Sequence, residues 1–96
     1  MEWAFTITYD RKTIRLRARI IFMNEQIERI QVRARNKSIT IQSNRPFLES
    51  KGLKQKRIDW KITEGTISNS MVLEMILRNV ERFLKGTNND HHSIQR

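Results

Sequence analysis

The sequence predicts an α+β domain: a five-stranded antiparallel sheet, meander-like with a long loop before its last strand, and one C-terminal helix packed on one face. Three observations predict it. Apolar and polar residues alternate with period two through residues 3–9, 13–35, 38–42 and 57–63, the repeat of a half-buried strand. The breaks between the first four runs are short and polar, as hairpin connections require. Finally, Val72, Leu73, Ile76, Leu77, Val80, Phe83 and Leu84 recur at i, i+3, i+4 spacing, the stripe of an amphipathic helix.

The first strand sets Trp3, Phe5, Ile7 and Tyr9 against Ala4, Thr6 and Thr8, and is rich in aromatic and β-branched side chains. Asp10, Arg11 and Lys12 turn the chain into the second strand. Its inward residues are Ile14, Leu16, Ala18, Ile20 and Phe22. Ile7 pairs with Ile14 or with Leu16; either register keeps both apolar sets on one face. After Asn24, Glu25 and Gln26 the third strand carries Ile30, Val32 and Ala34 inward. Pairing Ile20 with Ile30 and Ala18 with Val32 also opposes Arg17 to Arg33 and Arg15 to Arg35. Such like-charge pairs are destabilising unless solvent, salt or a ligand relieves them.

Asn36-Lys37 reads as a two-residue turn, since Asn tolerates positive φ. It leads to a fourth strand with Ile39 and Ile41 inward, opposite Ala34 and Val32. Pro46 lacks a backbone donor and restricts Arg45, so the strand ends there. Residues 43–57 show no firm periodicity and read as a long basic loop, with Phe47 and Leu48 as anchors. Loops of that length are often functional or mobile. The fifth strand turns Ile58, Trp60 and Ile62 inward, and its place in the sheet is left open. Ser68, Asn69 or Ser70 caps the helix. Glu74–Arg78 and Glu81–Lys85 support it as i, i+4 pairs, and Gly86 suits the position after its end. Residues 1–86 form the single domain. Residues 87–96 are polar and aperiodic, and read as a disordered tail.

Ninety-six residues suffice for one core. Cysteine is absent, which excludes a disulfide framework and thiolate metal sites. The start, Met-Glu-Trp-Ala-Phe, is not a signal peptide, and no run is apolar enough for a membrane span. The expectation is a soluble, cytoplasmic protein with no membrane partner. Catalysis needs a nucleophile, base or metal in a defined arrangement. The chain has no such constellation: its acids are scattered singly, and its histidines, His91 and His92, sit side by side in the tail. We therefore expect no enzyme, no cofactor and no metal.

The charge layout carries the functional expectation. Lysine and arginine number 19 against 10 acidic residues, a formal charge of +9. Residues 11–61 hold 15 of the basic and 4 of the acidic ones, so the excess lies on the sheet and its loop. Arginines at alternate strand positions share the face opposite the helix, about 6.5–7 Å apart. Arg15, Arg17, Arg19, Arg29, Arg33 and Arg35, with Lys51, Lys54, Lys56 and Arg57 of the loop, are the expected nucleic-acid contacts, for DNA or RNA. All strand aromatics carry inward parity, which favours duplex or backbone-led binding over base stacking. The alternative is a protein-interaction module. In that case the basic face docks an acidic protein, or the thinly charged first strand pairs with a partner or a second copy.

Overall fold

Five strands pair in the order β1-β2-β3-β4-β5, all antiparallel: β1 Glu2–Tyr9, β2 Lys12–Met23, β3 Glu28–Arg33, β4 Ser38–Ser43 and β5 Trp60–Glu64. Two helices complete the chain, α1 Arg45–Ser50 and α2 Ser70–Ile94. This computed structural model describes residues 1–53 and 56–94, with 87–94 described by backbone only. The meander and the C-terminal helix are those the alternation predicts, and β5 takes the edge next to β4.

The core lies between the inner sheet face and α2. Leu16, Ala18, Ile30, Val32, Ile39 and Ile41 are buried from the sheet, and Ile76, Val80 and Leu84 from the helix. Each fully buried aliphatic side chain such as Ile30 or Val80 contributes roughly 1.5–3 kcal/mol. Asn69 is the cap: its side-chain oxygen accepts the backbone N–H of Met71 at 2.9 Å and of Val72 at 3.2 Å. Two tryptophans then flank the helix stripe. Phe83 stacks on Trp3 of β1 at 4.1 Å between ring centres, and Glu81 accepts the Trp60 indole N–H of β5 at 2.8 Å. Residues two apart on a helix point to nearly opposite sides, so α2 bridges both edges of the sheet. Trp60 and Phe83 are only half-buried, not enclosed as the stripe suggests. Glu81 serves Trp60, while the Glu74–Arg78 pair forms at 3.0 Å.

The structure settles some local expectations and corrects others. Ile7 pairs with Ile14, settling the first register. Asp10 and Arg11 have φ of 52° and 64°, a tight turn with both central residues left-handed, which twists in step with the strands. The third hairpin turns through residues 34–37, with the Ala34 N–H donating to the Lys37 carbonyl at 2.8 Å. Val32 therefore opposes Ile39, and Ile30 opposes Ile41; the shift of two residues leaves every face unchanged. Arg35 lies in that turn and does not pair with Arg15, because β3 stops at Arg33.

Residues 45–50 form α1 rather than loop. Pro46 sits in the first turn, where its missing N–H costs nothing. Gly86 lies inside α2, without positive φ, so it is not the helix stop. The tail assigned to residues 87–96 lies outside the described residues, apart from the backbone of α2.

A bulge in β2 has the largest consequence for the surface. Ile20 opposes Ile30, but Phe22 opposes Arg29, so one extra residue is inserted at Ile21. The insertion reverses the parity of everything after it. Phe22, expected inward, turns to the outer face and is 42% exposed.

Candidate nucleic-acid interface

Strand registers arrange the outer face in rows. Residues directly opposite across an antiparallel pair share a face, so one row reads Ala4, Arg17, Arg33, Ser38. The next reads Glu2, Arg19, Gln31, Thr40, Glu64, and a third reads Phe22, Arg29, Gln42, Lys61. Arg15, opposite Thr6, extends the face beyond the first row. The arginines of all these rows are exposed. Positive charge concentrates on β2 and β3, and the acids Glu2 and Glu64 stand at the two sheet edges.

None of Arg15, Arg17, Arg19, Arg29 and Arg33 forms an ion pair; the ion pairs among the described residues involve Arg45 and Arg78. Two of the five are held by amides instead. Arg19 Nε donates to Gln31 Oε1 at 3.1 Å, and Arg29 Nε to Gln42 Oε1 at 3.0 Å. A guanidinium fixed through Nε keeps its two terminal nitrogens for a partner, with its charge unneutralised. Arg17 opposite Arg33 is the expected like-charge pair. At the β3–β4 turn, Arg15, Arg17, Arg33, Arg35 and Lys37 line one open concavity of about 1050 Å³. Arg35 thus joins its neighbours through the turn rather than through the sheet.

The loop residues fare differently. Arg45 at the start of α1 is tied to Glu28, which shares the inner face with Ile30 and Val32. Lys51 lies 6.0 Å above the Phe47 ring of α1, and Lys56 and Arg57 are exposed. None of these three lines the arginine concavity, and Lys54 lies outside the described residues.

Two residues of the outer face escape the sequence pattern. Lys61 is legible in hindsight, since it alternates with the inward Trp60 and Ile62. Phe22 is not, because only the run of four apolar residues from Ile20 to Met23 hints that the alternation breaks. The phenyl ring lies 5.3 Å from the Arg29 guanidinium, a cation–π contact. The outer face therefore does carry an aromatic, contrary to the parity expectation.

On the inner side, Glu28 is fully buried. Arg45 donates to it twice, from Nε and Nη2 at 2.7 Å each, and the Ser43 hydroxyl donates at 2.8 Å. The hydrogen bond to Glu28 holds the Arg45 guanidinium above its ordinary pKa, against the opposing effect of burial. Arg45 therefore stays charged at any working pH. A separate recess of about 270 Å³ opens between the sheet and the start of α2. Its walls are mostly aliphatic, and Lys37 is its one charged lining residue.

Among the described residues no helix is long and apolar enough to cross a membrane, and no group of His, Asp or Glu is placed to hold a metal ion. No protein-family model, curated protein or solved structure matches this chain.

Proposed function

We propose that the chain is a small nucleic-acid-binding protein that contacts phosphates through the outer face of β2 and β3. One observation carries the reading: Arg15, Arg17, Arg19, Arg29 and Arg33 are exposed on a single open face, and none forms an ion pair among the described residues. Assembling that many like charges with no ion pair among them costs stability through self-repulsion, and a polyanion relieves it. Two of the guanidiniums are pre-oriented by glutamine, which lowers the ordering cost of binding. Lys61 extends the face. Lys51, Lys56 and Arg57 do not line the arginine concavity, and their part in binding is secondary.

A second reading has its own observation. β1 is an edge strand of eight residues, and nothing between Glu2 and Asp10 is charged. Such an edge suits strand addition by a partner or a second copy. The basic face would then dock an acidic protein.

A salt titration separates the two. The chain is mixed with labelled DNA and RNA of arbitrary sequence, and anisotropy is followed from about 50 to 200 mM salt. Phosphate binding predicts association with both at the low end, with log K falling against log salt at a slope of about −4.5 on duplex DNA, or about −3.5 on a single strand, for five contacts. Absence of binding to either at about 50 mM salt removes the proposal and leaves the protein-interaction reading.

A further inference from the structure

The reversal of Phe22 sharpens the ligand, on the footing that the face binds nucleic acid. We propose that the preferred ligand is single-stranded, with one base stacked on a platform made by Phe22 and Arg29. Phe22 stands on the outer face at the head of the arginine rows, directly opposite Arg29. The Arg29 guanidinium lies 5.3 Å from the ring centre, and Gln42 fixes that guanidinium through Nε. The guanidinium lies over the ring as a pre-ordered cation–π pair, and bases stack on both kinds of plane. Bases are available for stacking in a single strand and shut away in a duplex.

Spacing agrees with this. From the platform, successive rows along β2 bring Arg19, then Arg17 beside Arg33, then Arg15. The first step, from Phe22 to Arg19, spans three residues across the bulge; each later step covers two strand residues, about 6.5–7 Å, close to the phosphate-to-phosphate step of an extended single strand. A strand laid along β2 from the platform would meet a guanidinium at each phosphate. The footprint is about four nucleotides, the small end of the range for single-strand sites on sheet faces. Recognition is indifferent to sequence, because every base offers a π face while the arginines read phosphate alone.

The test compares a labelled oligothymidylate of about 20 nucleotides, longer than a single-fold site, with a duplex of equal length. The variants are Phe22→Leu and Phe22→Trp. Leucine keeps apolar bulk at a half-exposed site but removes the ring, and tryptophan enlarges it. The parent should prefer the single strand. Phe22→Leu should weaken single-strand binding by roughly 5- to 100-fold, the range for losing one stacked base, and leave the duplex unchanged. Phe22→Trp should tighten single-strand binding alone. The salt slope should not move in either variant, because no phosphate contact is lost. Equal effects on both ligands, or none on either, overturn the stacking platform while phosphate binding stands. A parent that binds neither ligand overturns both.

Discussion

At Glu28 the inner face buries a carboxylate in the row that otherwise holds Ile30 and Val32. Its parity could be read from the sequence; its partner could not, because Arg45 lies 17 residues on, across a hairpin and a strand. The pair is bidentate, and the Ser43 hydroxyl donates a third hydrogen bond. Removing one partner leaves a buried charge unpaired. Arg45→Met should therefore destabilise the fold by about 3–5 kcal/mol, whereas Arg45→Met with Glu28→Leu should recover most of the loss. Urea unfolding of the two single variants and the double variant measures the coupling directly. Equal losses in single and double variants would mean that packing, not charge, holds α1 to the sheet. Phe22 shows the other limit of sequence reading at this scale. Parity propagates along a strand until one inserted residue reverses it, and nothing in the composition of residues 20–23 fixes where the insertion falls.

The strands and α2 were legible because each buries one face across several repeats, which writes the period into the chain. Helix α1 was not: it spans six residues, buries Leu48 alone, and contains a proline that argues against helix unless its place in the first turn is known. The β3–β4 turn was misplaced for a related reason. A register shift of two keeps every side chain on its face, so hydrophobic patterning is blind to it. The link from β5 to α2 depends on Gly65, whose φ is +79°. A Cβ there would lie 2.6 Å from the Ser38 carbonyl oxygen at the start of β4. Both backbone strain and a clash oppose any side chain, so Gly65→Ala should cost about 2–3 kcal/mol. The loss should appear as a lower urea midpoint with an unchanged slope. An unaltered midpoint would show that the link moves freely and does not set how α2 enters the sheet.

For the molecule as a whole, the fold separates two jobs. The inner face and α2 hold the apolar residues, with the Glu28–Arg45 pair at one end. The outer face gathers arginines that stabilise nothing by pairing with acids. The charge excess on the sheet was legible in the sequence; that Lys51 and Lys56 stand apart from the arginine concavity was not, since segment 43–57 gave no pattern to place them. We propose that the arginine face exists for a polyanion rather than for the fold. The double variant Arg17→Ser with Arg33→Ser tests it, because these two oppose each other across β2 and β3. At low salt the variant should melt no lower than the parent, since a like-charge pair is removed. Its nucleic-acid binding should weaken, with the salt slope shallower by about one to two units, according to whether the two arginines share one phosphate or hold two. A variant that melts lower and binds as the parent does would overturn that role, and would make the arginines shields whose stems cover the sheet.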